Sequence, residues 1–149
     1  MKKRLVMIIT CICMVLLLTG CSKDKIKADA FINISMDNNL SVTSESSREQ
    51  IETVVNELIA SNDKYVVEFY EFKDIESAKD FFDDRKNTFK NSKVYKSHVS
   101  LTGNNYSSFA IEANGRYSYI CRVDDTILLV LSDEEHKDEV KELIKKYGY

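Results

Sequence analysis

The segment from residue 93 to residue 131 constrains the fold most, because it has the pattern of four short strands separated by turn residues. The strands are predicted at Lys93–Leu101, Tyr106–Ala113, Tyr117–Val123 and Thr126–Leu131. The second and third are joined by Asn114-Gly115, and Asn-Gly between alternating residues is the strongest short hairpin signal. We therefore predict an antiparallel meander, with the continuous apolar run Thr126–Leu131 as a central strand.

Helical patterns flank this meander. Asp74 has the chemistry of an N-cap, and the residues after it place an apolar stripe on one face of a helix. A last helix is predicted from a second stripe, with a capping box at Ser132 and Glu135 and with Gly148 at its end. The stripes consist of Ile75, Ala78, Phe81, Phe82 and Phe89, and of Val140, Leu143, Ile144 and Tyr147.

With a strand at Lys64–Phe72, the order from Lys64 onward is β-α-β4-α. This order predicts an α+β fold, a largely antiparallel sheet with helices on one face. As a fold-level analogy only, it resembles the class of sheets typified by the TATA-binding protein.

One or two short helices are expected before Lys64. Residues 28–40 fit both an alternating strand and a helix, and we favour a short helix followed by a polar connection at 39–47. Ile51, Val54, Val55 and Leu58 are spaced as a helical stripe behind capping boxes that start at Ser46 and Ser47. Residues 57–61 end this helix or, if Asn62-Asp63 is a hairpin turn, form a strand.

The first residues have the pattern of an export signal. Three cations precede the apolar stretch Leu5–Leu18, which is shorter than the roughly 20 residues of a membrane-spanning helix. Leu18-Thr19-Gly20-Cys21 resembles the bacterial lipobox. The resemblance implies diacylglycerol on the sulfur of Cys21 and cleavage before it. An ordinary secretion signal or a short membrane anchor is the alternative.

The lipobox implies a signal peptide at residues 1–20 and a lipidated Cys21. The pattern of the following residues then predicts a tether at 21–27 and a single α+β domain at 28–149. The protein is then expected on the extracytoplasmic face of the cell membrane, since two acyl chains suffice for stable anchoring. The tether reaches about 20 Å. It is either a solvated spacer or, through its three lysines, a contact for anionic lipid.

A second resemblance covers about the C-terminal two-thirds of the chain. It is carried by Glu68-Phe69-Tyr70-Glu71-Phe72, Gly115-Arg116-Tyr117, Arg122-Val123-Asp124-Asp125-Thr126 and the terminal Gly148-Tyr149. These residues resemble small uncharacterised lipoproteins of Gram-positive (Firmicutes-type) bacteria. The resemblance implies the same architecture and cell envelope, favours the hairpin at Asn62-Asp63, and implies no catalytic residue.

The composition argues against several functions. Loss of the first 20 residues removes three cations and changes the formal net charge from −3 to −6, so no nucleic-acid partner is expected. The three remaining glycines are used by predicted turns and a helix end, which argues against a phosphate-cradling loop. His98, His136 and Cys121 lack the spacing of a zinc site. We expect no metal and no cofactor, and we expect Cys121 to be a buried apolar residue.

The expected function is that of a non-enzymatic binding or accessory domain of the cell envelope. Its partner is an envelope protein, a wall polymer or a small ligand. If the helices cover one face of the sheet, the candidate binding residues on the other are Ser118 and Arg122, joined by Tyr106. The other tyrosines belong to the core or to an interface. The alternatives are a surface hydrolase, marked by two convergent carboxylates or by His98 with an acid, and an inhibitory or protective lipoprotein.

Overall fold

The computed structural model describes residues 22–44, 52–91 and 95–149. Cys21 and the predicted signal peptide lie outside these residues. The elements, in chain order, are α1 (Ala28–Asp37), β1 (Ser41–Ser44), β2 (Val54–Ser61), β3 (Tyr65–Phe72), α2 (Ile75–Lys90), β4 (Tyr95–Thr102), β5 (Tyr106–Ala113), β6 (Arg116–Val123), β7 (Thr126–Asp133), a 3₁₀ turn (Glu134–His136) and α3 (Lys137–Lys146).

The strands form one seven-stranded antiparallel sheet in the order β1-β2-β3-β7-β6-β5-β4. The helix α2 crosses from β3, near the middle, to β4 at the far edge, and the meander then returns until β7 pairs with β3. The α+β class, the antiparallel meander and the central position of β7 are thereby confirmed.

Both faces of the sheet carry helices, so the prediction that the helices share one face is wrong. On the first face, called face A, α1 and α3 cover Phe69, Cys121 and Leu128. On face B, α2 inserts Ala78 and Phe82 among a second set of apolar side chains. These are Tyr70, Phe72, Phe109, Ile111, Ile120, Ile127 and Leu129. Alternation along β6 and β7 supplies both cores, because successive side chains point to opposite faces.

The first third of the chain differs most from the predictions. The favoured helix at Ala28–Asp37 is confirmed and ends before Asn39, whose φ of 59° lies in the left-handed region. The supposed connection at 39–47 contains β1 instead. The helix predicted from Ile51 to Leu58 is wrong, because Val54–Ser61 is the strand β2. The capping boxes at Ser46 and Ser47 lie outside the described residues.

The hairpin alternative at Asn62 is confirmed. The side-chain Oδ1 of Asn62 accepts hydrogen bonds from the backbone N–H groups of Lys64 (2.9 Å) and Tyr65 (3.0 Å). This closes the turn between β2 and β3. Pairing with β3 buries Leu58 and Ala60 alternately, so the tertiary contact overrides the helical spacing.

The ends of the two longer helices follow the sequence in part. Asp74 caps α2 as predicted, because its Oδ1 accepts from the N–H of Ser77 at 2.7 Å. Gly148, with φ of 82°, ends the last helix as predicted. The capping box at Ser132 is wrong: β7 continues to Asp133 and a 3₁₀ turn intervenes. The buried Oγ of Ser132 has no hydrogen-bond partner among the described residues.

Candidate functional site

A groove of about 370 Å³ lies on face A between α3 and strand β6. The sheet contributes Tyr117 and Tyr119, and the C-terminal residue Tyr149 closes one end. The wall is formed by α3 through Asp138, Lys141, Glu142, Ile144 and Lys145. The groove exists because α1 and α3 cover the β1-β2-β3-β7 side of face A and leave the β4-β5 side open.

The open part of face A continues from the groove to the edge of the sheet. Val99, Ala110 and Tyr119 stand directly opposite one another on β4, β5 and β6. Leu101 lies in the next row, opposite Ser108. The side chains of Val99 and Leu101 are 58% and 56% exposed. Val99 and Leu101 form an exposed apolar strip along β4, which extends the floor of the groove formed by Tyr117 and Tyr119. The strand β4 is at the edge of the sheet, and its residues 96–102 are all exposed.

The rim of the groove is charged in both signs. Lys145 donates to Glu142 at 2.6 Å, and Lys137 donates to Glu112 at 2.8 Å at the far end. Among the residues that the structure describes, Asp138 and Lys141 form no ion pair within 4 Å. They are therefore available to a partner with complementary charges, while the Lys137–Glu112 ion pair joins α3 to β5.

The hydroxyl groups of the tyrosines that line the groove make contacts within the domain. Tyr117 is buried, which raises its pKa to about 12, and Glu112 adds to the shift. Burial also raises the pKa of Tyr119, whose hydroxyl lies beside Cys121 and Ser108. The hydroxyl of Tyr149 forms a 2.7 Å hydrogen bond with Thr126 Oγ1. Tyr117 and Tyr149 are buried, so among these rings only the half-buried ring of Tyr119 can offer surface to a partner.

The three predicted binding residues are not brought together. Tyr106 lies on face A, packed against the first core with the Nζ of Lys23 5.4 Å from its ring centroid. Ser118 and Arg122 lie on face B, as their alternation with Tyr117 and Tyr119 indicates, but α2 packs on that face. The prediction that Ser118 and Arg122 lie on an open face of the sheet is therefore wrong.

Arg122 is a buried structural residue, only 6% exposed. Its Nη1 donates to the backbone oxygens of Asp124 (2.9 Å) and Asn105 (3.3 Å). The guanidinium thus joins the β4–β5 and β6–β7 turns through backbone carbonyl groups. Such bonds offset the cost of burying a charged group.

The segment after Cys21 is packed on the same end of the sheet. The N–H and C=O of Lys23 both bond to the side-chain amide of Asn105, at 3.1 and 2.8 Å. Lys25 forms an ion pair with Asp125 at 2.7 Å, and Ile26 is 8% exposed within the first core. The interpretation of these residues as a solvated spacer is therefore wrong.

The predicted markers of an enzyme are only partly met. Asp138 and Glu142 both line the groove, but they are exposed, and the ion pair with Lys145 lowers the pKa of Glu142. A general acid needs the opposite shift. His98 is directly opposite Ile111, whereas Glu112 is opposite Ser97. His98 and Glu112 therefore project from opposite faces.

Residues 22–44, 52–91 and 95–149 lack two kinds of feature. They contain no cluster of three or more His, Cys, Asp or Glu side chains able to hold a metal ion. Within the same ranges, no helix has the length and apolar content needed to cross a membrane.

The sequence marked the tyrosines as candidates for core or interface but did not reveal the groove. The groove wall depends on where α3 packs, which is a long-range property. Val99 and Leu101 carried a signal: they alternate with polar residues, which predicts one apolar face. Whether a helix covers that face is not encoded in the strand itself.

Comparison with known proteins gives a likeness of fold. No family model matches the chain, and no curated protein matches it. The structure is similar to the crystal structure of a GTP binding regulator from Thermotoga maritima, with a TM-score of 0.52 and 16% sequence identity. The likeness covers 87% of this chain and 93% of the other, and it supports the α+β architecture.

Proposed function

We propose that the protein is a membrane-anchored, extracytoplasmic lipoprotein that acts as a non-enzymatic binding domain of the cell envelope. The lipobox at Cys21 supports the anchor. The groove beside α3 and the exposed strip on β4 support the binding role. The partner is proposed to be another protein of the envelope.

The observation that carries the binding role is the continuity of the groove with the strip. Tyr117 and Tyr119 form a rigid floor, Val99 and Leu101 extend it, and Asp138 and Lys141 stand at the rim. An apolar centre that a partner can cover, within a polar rim, is the usual anatomy of a protein interface. The surface also ends at an exposed edge strand, and such edges accept extended segments of partner proteins.

A GTP-binding role is not proposed for this chain, although the similar protein from Thermotoga maritima is described as a GTP binding regulator. At 16% identity the likeness concerns the fold. The phosphate-cradling loops of many nucleotide-binding proteins use closely spaced glycines that let the backbone approach the ligand. Of the described glycines, Gly115 and Gly148 have positive φ values and serve a hairpin and a helix end. Gly103 belongs to the β4–β5 turn.

The proposal is tested by photocrosslinking in intact cells. A benzoylphenylalanine at position 141, on the groove rim, is expected to give one discrete protein adduct. The double variant Val99→Ser and Leu101→Ser should abolish that adduct, because it removes the apolar strip and leaves the rim intact.

The matched control is Val55→Ser on β2, since Val55 is also 58% exposed. This variant should retain the adduct. Absence of any adduct at position 141, or an adduct that survives the Val99 and Leu101 substitutions, would contradict the proposed surface.

A further inference from the structure

Residues 23–26, which follow Cys21 in the chain, are bound to one end of the domain. We define this anchor end by the β4–β5 turn Gly103–Asn105, the β6–β7 turn Asp124–Asp125 and the C-terminal Gly148–Tyr149. The opposite, distal end contains the β2–β3 turn at 62–64, the β5–β6 turn Asn114-Gly115 and the 3₁₀ turn.

Asn105 is the centre of the anchor end. Its amide bonds both backbone groups of Lys23 and also donates to Asp124 Oδ2 at 3.1 Å. Its backbone oxygen accepts from the N–H of Asp124 and from Arg122. One side chain thus ties the incoming segment to two turns.

Further contacts immobilise the same segment. The Nζ of Lys23 reaches the backbone oxygen of Gly148 at 3.5 Å, and Lys25 contacts both carboxylate oxygens of Asp125 at 2.7 and 2.9 Å. Ile26 then inserts into the core beside α1. The segment is held by a hydrogen-bonded pair, an ion pair and an apolar side chain within four residues.

We propose that the anchor end faces the lipid surface in one fixed orientation. This inference rests on the proposed lipidation of Cys21. Lys23 lies two residues after Cys21, and two residues span at most about 7 Å. A lipid on Cys21 therefore draws Asn105 and the two turns against the phospholipid headgroups, and the domain cannot turn its distal end toward them.

The orientation also sets how the binding surface is presented. Eight-residue strands separate the two ends by roughly 27 Å, and the strands run away from the bilayer. The groove lies on the side of the sheet, with Tyr149 at its lower end. A partner therefore reaches the groove laterally, along the membrane plane, as a second membrane-bound protein does.

The test uses the lipidated protein in vesicles of phosphatidylcholine and phosphatidylglycerol that carry a headgroup quencher. A fluorophore is attached to a cysteine introduced at Asn104, at the anchor end, or at Asp63, at the distal end. Native Cys121 is buried. Fluorescence loss is expected at position 104 and not at position 63.

Asn105→Ala should reduce the difference between the two positions, because it releases Lys23. The matched control Asn87→Ala, on the exposed side of α2, should leave the difference unchanged. Equal quenching at positions 104 and 63 of the protein with native Asn105 would overturn the fixed orientation.

Mass spectrometry of the same sample distinguishes a failure of the proposed orientation from a failure of the proposed lipidation of Cys21. A diacylglyceryl group on Cys21 combined with equal quenching refutes the orientation alone. A protein without the lipid refutes the lipoprotein assignment, and the orientation with it.

Discussion

At the scale of single residues, Arg122 shows what alternation can and cannot predict. The pattern of β6 correctly separates Arg122 from Tyr117 and Tyr119. It cannot tell which face a crossover helix covers, because that depends on the path of α2 between distant strands. The two backbone carbonyls that Arg122 bonds belong to turns, and the alternation along β6 gives no sign of them.

Arg122→Ala should therefore lower the free energy of unfolding by about 2 kcal/mol, because it leaves two turns without their shared donor. The measurement is urea unfolding of residues 22–149. Arg116→Ala, at a side chain that is 75% exposed, is the control and should change stability by less than about 0.5 kcal/mol. Equal effects of the two substitutions would refute the structural role.

Cys121 supports a prediction about reactivity. Burial raises the pKa of its thiol from 9.0 to about 11, and the thiolate is the reactive form. The folded protein should therefore not react with a thiol reagent at pH 8, while the urea-unfolded protein should react completely. Rapid modification of Cys121 in the folded state would show that face A opens over this strand.

At the scale of elements, local turn chemistry made the second half of the chain predictable. Asn114-Gly115 and Asp124-Asp125 place β5, β6 and β7 within two residues of their observed ends. In β2, Val54, Val55 and Leu58 fit a helical stripe equally well, and only pairing with β3 selects the strand. The groove was less predictable still, because its wall and floor come from elements that meet only in three dimensions.

The turn at Asn62 can be tested directly. Asn62→Ala removes the acceptor for two backbone N–H groups and should lower the free energy of unfolding by about 1 kcal/mol. Asn62→Asp retains an acceptor oxygen and should preserve most of the stability. Urea unfolding of both variants measures the difference. An Ala variant as stable as the Asp variant would show that the side chain does not close the hairpin.

At the scale of the whole molecule, the buried tyrosines and Cys121 make stability depend on alkaline pH. Burial raises the pKa of Tyr117 and Tyr147 from 10.0 to about 12, and that of Cys121 to about 11. Above about pH 9 the unfolded chain loses these protons first, so ionisation favours unfolding. The stabilising contribution is complete below pH 9 and is lost as the pH rises through 11 and 12.

We therefore expect these groups to change the urea concentration at the midpoint of unfolding very little between pH 7 and 8.5. From pH 9 to 11 this midpoint concentration should fall steadily. Tyr147→Phe removes one of the groups and should flatten the decline. A midpoint that stays constant to pH 11 would contradict the burial of these hydroxyls and of the thiol.

The central claim, anchoring through Cys21, is tested most directly by labelling growing cells with radioactive palmitate. We expect the wild-type protein to incorporate the label, and we expect Cys21→Ser neither to incorporate it nor to be cleaved by the lipoprotein-specific peptidase. A Cys21→Ser variant that incorporates palmitate as the wild type does would contradict lipidation at this residue.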